Sequence, residues 1–331
     1  MRPLHLSLPV MLPTILALLC GPLTMTNAVA QSFPTRPIRI VVPYAPGGNS
    51  DLIARAFAGP LSETLGQSVV IENRPGASAI IGSDLVATAP PDGYTLLMIS
   101  SGNLTTNPAL FAKLPYDTMR DFTPITNVAY TPYLLDVHPS LPVKSMGELI
   151  ALAKSEPGAI NAAIPGVGTG GHLALELFKS MSGTKFTEIA YQGAAPALTD
   201  TIAGHTQLMM DALSTSLPNA RVGAVRALAQ SGPTRSPLLP DVPTVAEAGL
   251  PGYEYVVYNA LLGPASLPRD IVDKLQSAFA QVGGRPDMRE KFAQLGLTMT
   301  VSSPEQLTDY IGAETAKWAK VIRQAGIEVQ Q

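Results

Sequence analysis

Hydrophobic positions follow two periods that alternate along the chain. Residues 38–42 form a run rich in β-branched side chains, which predicts a buried strand. In the segment that follows, apolar residues recur at helical spacing, with Asn49 or Ser50 as the predicted N-cap: Leu52, Ile53, Ala56, Phe57 and Leu61. Because this alternation continues almost throughout, the sequence predicts an α/β fold with largely parallel sheets.

The same patterns predict the remaining elements. Strands are predicted at 69–73, 94–100, 133–137, 160–164, 186–191, 207–210, 224–229 and 253–262. Helices are predicted at about 80–89, 146–154, 172–178, 194–203, 245–248, 269–282, 287–295 and 305–325. Residues 101–107 read as a polar loop, which either lines a pocket or is simply solvated.

Two glycine-rich loops stand between a predicted strand and a predicted helix. The first runs from Tyr44 to Asp51 and contains Gly47 and Gly48, and the second is Pro165-Gly166-Val167-Gly168-Thr169-Gly170-Gly171. Glycine leaves backbone N–H groups unscreened, and a helix N-terminus carries partial positive charge, so each loop is suited to binding an anion. Neither loop contains Lys or Arg, so an anion there would be held by N–H groups and hydroxyls. Taken alone, one such loop is better explained as a tight strand-to-helix connection, and the presence of a second loop of the same kind shifts the balance toward an anion site.

The second loop also matches a dinucleotide-binding pattern, Gly166-x-Gly168-x-x-Gly171. Glu188 lies near the distance expected for a ribose-binding acid, but in the middle of a predicted strand, and no Walker lysine follows either loop. No nucleophile elbow is present, and the histidines after residue 30 lack metal-ligand spacing. A secreted α/β enzyme with a nucleotide cofactor stays as the alternative function.

Single polar residues near the loops have more than one interpretation. His172 falls in the first turn of a helix, where it packs, caps or contacts a ligand. Asp51 is a favourable charge at a helix N-terminus, and Asp211 follows a strand and either ends it or faces a pocket.

Composition and charge exclude nucleic-acid binding, and residues 1–30 indicate export. Of the 331 residues, 46% are hydrophobic and 14% charged, and the net charge of −3 offers no basic surface for nucleic acid. Residues 1–30 have the features of a secretory signal peptide, with Arg2, an apolar stretch and a cleavage site after Ala30. Cleavage removes Cys20, the single cysteine, and predicts a periplasmic protein without disulfides. Lipidation of Cys20 is the alternative, which the bulky Leu19 before it disfavours.

Six stretches together resemble one known family, the periplasmic solute receptors of tripartite tricarboxylate transporters, also called Bug proteins. They are RPIRIVVPYAPGGNSDLIAR (36–55), LGQSVVIENRPGA (65–77), GVGTGGHLALELF (166–178), YQGAAPALTDTIAG (191–204), DVPTVAEAGLPGY (241–253) and KWAKVIRQAGI (317–327). The resemblance implies a two-domain periplasmic-binding-protein fold of the Venus-flytrap, type II-like kind, with mostly parallel sheets. Residues 31–135 and 258–331 would form the first domain and residues 136–257 the second.

The resemblance also implies the function. The protein would be a monomeric receptor, not an enzyme, that captures a small carboxylate between its domains for a tripartite transporter or a sensory system. The carboxylate would be a di- or tricarboxylate, an acidic amino acid or an aromatic acid, with no cofactor, metal or nucleic acid. The ligand-binding residues implied are Tyr44, Pro46, Gly47, Gly48, Asn49, Asp51, Ser100, Ser101, Asn103, Gly166, Gly168, Thr169, His172 and Asp211. Tyr258-Asn259-Ala260 departs from the family pattern, which leaves the distal pocket shape open.

Overall fold

The computed structural model describes residues 33–325. The predicted signal peptide and its cleavage site lie outside these residues. The strands are β1 Ile38–Val42, β2 Val69–Asn73, β3 Thr95–Ser100, β4 Phe122–Val137, β5 Asn161–Ile164, β6 Thr187–Ala190, β7 Leu208–Ala212, β8 Arg226–Gln230, β9 Val256–Pro264 and β10 Thr298–Met299. The helices are α1 Asn49–Leu65, α2 Ile80–Ala87, α3 Ser101–Leu110, α4 Met146–Ser155, α5 Gly170–Ser182, α6 Ala194–Ile202, α7 Leu213–Arg221, α8 Arg269–Gly284, α9 Pro286–Gln294 and α10 Pro304–Ala325.

The strands form a mixed sheet, in the order β2-β1-β3-β9-β4-β7-β5-β6, with β8 and β10 also paired to β4. Parallel pairing is confined to β1 with β2 and β3, and to β5 with β6 and β7. Strands β4 and β9 pair antiparallel with all their neighbours. The predicted α/β fold is therefore confirmed, but parallel pairs do not dominate. Two long return strands cross the middle of the sheet, and strand polarity cannot be read from apolar runs alone.

Strand β4 connects the two halves of the sheet. It has 16 residues, whereas only 133–137 were predicted. Residues 122–132 of β4 pair with β9, and residues 133–137 pair with β7 and β8. Each half packs its own buried apolar cluster. Phe57 and Phe279 stack in one cluster, while Phe178 and Trp318 belong to the other.

Several predicted elements differ from those observed. Residues 101–107 are part of the buried helix α3, not a loop. Helix α7 and the short strand β10 had no sequence prediction, and residues 245–248 form turns instead of a helix. The N-cap of α1 is Gly48, without a side-chain cap, instead of Asn49 or Ser50. Within residues 33–325, none of the helices is both long enough and apolar enough to cross a bilayer.

Helix α3 was missed because several of its polar side chains hydrogen-bond to the backbone of the helix itself. Ser100 caps its N-terminus by accepting a hydrogen bond from the Gly102 N–H. The hydroxyls of Thr105 and Thr106 donate to carbonyls one turn earlier, at Ser101 and Gly102. These bonds remove the cost of burying polar residues, so a sequence that looks solvated forms a packed helix.

Candidate functional site

A small cavity lies at the carboxyl ends of β1, β3, β5 and β7. Its volume is about 50 Å³. The residues that line it come from five strand-to-helix connections and from β4: Tyr44, Gly48, Asn49, Ser50, Ser100, Tyr133, Pro165, Thr169, Gly170, Ala194, Asp211 and Ala212. Ligands of open α/β sheets commonly bind at this edge.

Five helix N-termini meet at the cavity, namely those of α1, α3, α5, α6 and α7. Each contributes its N-cap or first residues to the lining. Helices α1, α6 and α7 have no side-chain cap, so their first N–H groups are not satisfied by a capping side chain. Among the lining residues there is no Lys, Arg or His. The cavity is therefore positive through backbone dipoles alone, which suits an anion.

The first glycine loop is fixed from behind by Asp51. Its Oδ2 accepts from the Gly47 N–H at 2.9 Å, while Arg55 and Asn73 donate to the same carboxylate. Gly47 has φ of 87°, in the left-handed region that favours glycine. Burial alone would raise the pKa of Asp51, but the hydrogen bonds from Arg55, Gly47 and Asn73 lower it. An ionised Asp51 thus holds the loop and does not line the cavity.

Tyr44 ties this loop to the start of α3. Its hydroxyl donates to Asn103 Oδ1 at 3.0 Å and accepts from the Ser100 N–H at 3.3 Å. The Asn103 amide in turn donates to the Val167 carbonyl in the second glycine loop. Tyr44 and Ser100 face the cavity, and Asn103 lies behind them as the bridge between the two loops.

The second glycine loop is held by its own helix and by α3. His172 Nδ1 accepts from the Gly168 N–H at 3.0 Å, so that donor is occupied. The Thr169 hydroxyl donates to the Gly166 carbonyl, and the Thr106 hydroxyl donates to the Gly168 carbonyl. Gly168 has φ of 74°. The loop's shape is therefore set by polar contacts, and Pro165, Thr169 and Gly170 are the residues that it presents to the cavity.

The far side of His172 faces a carboxylate pair. His172 Nε2 lies 3.4 Å from Glu188 and 3.6 Å from Glu176, and Lys179 bridges both glutamates. Burial would raise the pKa of Glu188, but hydrogen bonds from His172, Glu176 and Lys179 lower it.

His172, Glu176 and Glu188 place one nitrogen or carboxylate oxygen each within 4.8 Å of one another, which is the spacing that a metal site needs. Because Nδ1 accepts a hydrogen bond, neutral His172 carries its proton on Nε2, which is then no metal ligand. The Lys179 ammonium pairs with both glutamates, so we interpret the group as an ion-pair network that supports the loop.

Two carboxyl groups are buried next to the cavity without a cation. Asp211 lines the cavity and is 1% exposed, and Asp136 is fully buried behind it. Thr215 donates to Asp211 and Ser216 to Asp136, in each case to Oδ2. Burial raises the pKa of Asp211 to about 7 and that of Asp136 to about 8.

Direct hydrogen bonds link the first glycine loop to α7 and to the β6–α6 connection. The Ser214 hydroxyl donates to Asn49 Oδ1 at 2.6 Å, and the Ala45 N–H donates to the Gln192 carbonyl at 3.1 Å. These bonds join the β1–β3 half of the sheet to the β5–β7 half across the cavity.

Of the fourteen residues predicted for the site, six line the cavity: Tyr44, Gly48, Asn49, Ser100, Thr169 and Asp211. Pro46, Gly47, Asp51, Asn103, Gly168 and His172 are in or behind the two loops. Ser101 accepts from the Tyr258 N–H, and Gly166 lines an adjoining cavity. Sequence reasoning missed Ser50, Tyr133, Pro165, Gly170, Ala194 and Ala212. The second-loop pattern contained Pro165 and Gly170, but Tyr133 gave no signal because it reads as a core strand residue.

The adjoining cavity extends the first one. Its volume is about 110 Å³, and it shares Tyr44, Pro165 and Thr169 with the first. Its other wall includes residues 76–79 before α2, where Ala77, Ser78 and Ala79 have φ of 44°, 52° and 70°. Three successive strained non-glycine residues are uncommon outside functional sites.

Comparison with known proteins agrees with this geometry. Residues 53–327 match the tripartite tricarboxylate transporter family receptor. A structure of an R. palustris protein with adipate superposes with a TM-score of 0.87 at 39% identity, covering 89% of this chain and 99% of that chain. The structure of the periplasmic binding protein BugD superposes with a TM-score of 0.87 at 33% identity, covering 90% of this chain and 100% of that chain. MatC from Rhodopseudomonas palustris with bound malate superposes with a TM-score of 0.84 at 32% identity, covering 88% of this chain and 100% of that chain.

Together, the α/β fold and its structural neighbours define a solute-binding receptor of the periplasmic-binding-protein kind. The chain belongs to the tripartite tricarboxylate transporter receptor family, which includes the Bug proteins. The resemblance noted in the sequence is thereby confirmed. The same comparisons favour a receptor over the nucleotide-dependent enzyme suggested by Gly166-x-Gly168-x-x-Gly171, since the family and its solved members are substrate-binding proteins.

Proposed function

We propose that this receptor captures a small aliphatic dicarboxylate in the two adjoining cavities. The observation that carries the proposal is the meeting of five helix N-termini at a cavity lined by no Lys, Arg or His. One ligand carboxylate would accept from the N–H groups at the starts of α1 and α5. Similar proteins have been solved with adipate and with malate, which supports a dicarboxylate.

The second carboxylate would reach the adjoining cavity. The two cavities share Tyr44, Pro165 and Thr169 as lining residues, and the strained turn Ala77–Ser78–Ala79 lines only the adjoining one. Successive backbone N–H groups in such turns are suited to an anion. Chain length would then determine which dicarboxylate fits, with the two carboxylates held by separate loops.

The rest of the proposed function follows the family. The two proposed lobes are residues 31–135 with 258–331 and residues 136–257, and β4 and β9 connect them.

The precursor would be exported to the periplasm with cleavage after Ala30. The monomeric receptor would deliver ligand to a tripartite transporter or to a sensory system. Mass spectrometry of the exported protein should find Gln31 as its first residue, and Met1 or a lipidated Cys20 would refute this processing.

Ligand capture can be tested by thermal shift and calorimetry over malate, succinate, glutarate and adipate. At a ligand concentration of about a hundred times Kd, the free energy of unfolding should rise by about 2.7 kcal/mol. For the best acid, its dimethyl ester should lose nearly all of this gain, because neutral ester oxygens accept hydrogen bonds weakly. The acid should be recovered unchanged after incubation. Equal binding of the ester, or a larger shift with NAD, would refute the proposal.

A further inference from the structure

Asp211 combines three features that the loops do not explain. It lines the cavity, it is 1% exposed, and its Oδ1 has no hydrogen-bond partner among the described residues. A buried polar atom without a partner is costly, and such atoms are rare outside sites that act on a ligand or proton. The orphaned oxygen therefore points to a partner that arrives with the ligand.

The other oxygen of Asp211 is already used. The Thr215 hydroxyl donates to Oδ2 at 2.7 Å, which marks Oδ2 as the acceptor oxygen of this carboxyl group. A proton bound to Asp211 would consequently sit on Oδ1, the oxygen without a partner. Neutral Asp211 would present an O–H donor to the cavity, whereas ionised Asp211 would present only acceptors.

The surrounding charges favour the neutral form when a carboxylate is present. The titratable groups that face Asp211 are Tyr133 and Asp136 on β4 and Tyr44 on the β1–α1 loop. Burial raises the pKa of Tyr44 and Tyr133 well above the usual tyrosine value, so both are neutral near pH 7. No cation lines the cavity to separate two negative charges. When two carboxylates share such a site, one of them must hold a proton.

We propose that Asp211 is a specificity-determining residue that binds the ligand carboxylate as a neutral acid, donating from Oδ1, so that each ligand is captured together with one proton. This inference rests on the proposed function, because it assigns Asp211 a role toward the carboxylate at the helix N-termini. The O–H···O⁻ hydrogen bond so formed is of the strong, charge-assisted kind. Because Oδ1 would then be a donor, a ligand that offers only a donor at this position would bind more weakly.

The direction of the pH dependence follows from burial. In the free receptor, burial raises the pKa of Asp211 to about 7. A bound carboxylate raises it further, so the proton is taken up on binding only where free Asp211 is ionised. Affinity should level off near pH 6 and fall by up to about tenfold per pH unit above pH 7. In a dicarboxylic acid the first carboxylate opposes the second negative charge, so the second ionisation lies above the model carboxyl value of about pH 4, and the measurements belong at pH 6 and above.

Calorimetry of adipate and malate in buffers of different ionisation enthalpy measures the protons taken up. The intact receptor should take up close to one proton per ligand at pH 8.5 and only a small fraction of a proton at pH 6. Asp211→Asn should take up none at either pH, and its affinity should not vary between them. Asp136→Asn is the matched control, since Asp136 is the neighbouring buried carboxyl that does not line the cavity, and it should keep the uptake.

Each outcome is decisive. Tight binding without proton uptake at pH 8.5 overturns the role of Asp211 and leaves the receptor function standing, whereas no binding of any carboxylate refutes the proposed function itself. Uptake that persists in Asp211→Asn, or disappears in Asp136→Asn, assigns the proton to another group and also overturns the inference. If Asp211→Asn binds neither acid, retained uptake in Asp136→Asn still supports Asp211, because these are the two buried carboxyls beside the cavity that pair with no cation in the described part of the chain, whereas Arg55 pairs with Asp51.

Discussion

Gly170 is the residue at which the cavity tolerates least added volume. A Cβ atom there would lie 2.2 Å from the Tyr133 hydroxyl and 2.9 Å from its ring carbon Cζ, so one of the two side chains must move into the cavity. Gly170→Ala should weaken adipate and malate binding by about tenfold or more, equivalent to about 1.4 kcal/mol. Isothermal titration measures the loss.

Two variants control this expectation. Gly59→Ala adds a methyl group in α1 where nothing lies within 4 Å, and should leave affinity unchanged. Tyr133→Phe combined with Gly170→Ala removes the nearer contact and should restore part of the folded-state stability that the single change costs. If Gly170→Ala bound as tightly as the unchanged protein, Gly170 would not limit the ligand cavity.

Asp136 should make the ligand-free fold less stable as pH rises. Burial raises the pKa of Asp136 in the folded state to about 8 from the model-peptide value of 3.8. The folded state therefore binds a proton that the unfolded chain has released, and this contribution to stability is lost between about pH 4 and pH 8. The slope for one such group is about 1.4 kcal/mol per pH unit.

Denaturant unfolding of the intact protein and of Asp136→Asn at pH 5 and pH 8 tests this sign. The variant should lose less stability than the intact protein between the two pH values, because its amide does not titrate. Parallel losses in both proteins would show that Asp136 is not the group that binds the proton.

At the scale of single residues, the two glycine loops could be identified from the sequence, but the role of each residue in them could not. Gly47 and Gly168 have positive φ, whereas Gly48 has φ of −81°, and adjacent letters in the sequence do not distinguish them. His172 and Asp51 occupy helix-start positions that predict anion contact, yet their side chains accept from loop N–H groups instead. Such assignments depend on side-chain direction, which becomes fixed only by tertiary packing.

At the scale of elements, α5 and β6 hold the second glycine loop through His172. Removing the imidazole in His172→Ala leaves the buried Gly168 N–H without its acceptor, which costs about 1–3 kcal/mol. The loop should become less ordered, so adipate and malate should bind about fivefold or more weakly, although His172 does not line the cavity. Calorimetry and thermal unfolding measure the two effects.

His205→Ala is the matched histidine control, because its side chain is 71% exposed and pairs only with Asp200 on the surface. It should bind both acids as the intact protein does. The ion-pair reading of His172, Glu176 and Glu188 also predicts that a chelator leaves the melting temperature unchanged. A large drop with chelator would show that a metal ion holds these residues.

Elements with strong periodicity were predictable, and those stabilised by tertiary contacts were not. Strands β1 and β2 match their predicted bounds, and the predicted helix at 146–154 is α4, which Ser145 caps by accepting from the Glu148 N–H. Helix α7 was missed because the polar segment after β7 has no apolar stripe. Its three hydroxyls instead bind Asn49, Asp211 and Asp136. Asn49 and Asp136 are distant from α7 in sequence, so no local pattern indicates them.

At the scale of the whole molecule, β4 and β9 are the return strands that connect the two halves of the sheet, while the cavity contacts hold those halves together. The family fold implies rotation about such a connection, with ligand favouring the closed arrangement because it touches both sides. The Ser214–Asn49 hydrogen bond also stabilises the closed arrangement, independently of ligand.

Ser214→Ala should therefore shift the ligand-free receptor toward the open arrangement. The Ser214 hydroxyl donates to Asn49 Oδ1 at 2.6 Å across the cavity, and a net contribution of about 0.5–1.5 kcal/mol corresponds to about a two- to tenfold change in the closed-to-open ratio. Small-angle scattering should give a larger radius of gyration for the free variant than for the intact protein, and the same radius for both with saturating adipate or malate. Ser155→Ala removes a hydroxyl that bonds only within α4 and should match the intact protein in both states. Equal radii for free Ser214→Ala and the intact protein would show that this hydrogen bond does not set the closure equilibrium, and closure would then depend on the ligand and the Ala45–Gln192 backbone contact.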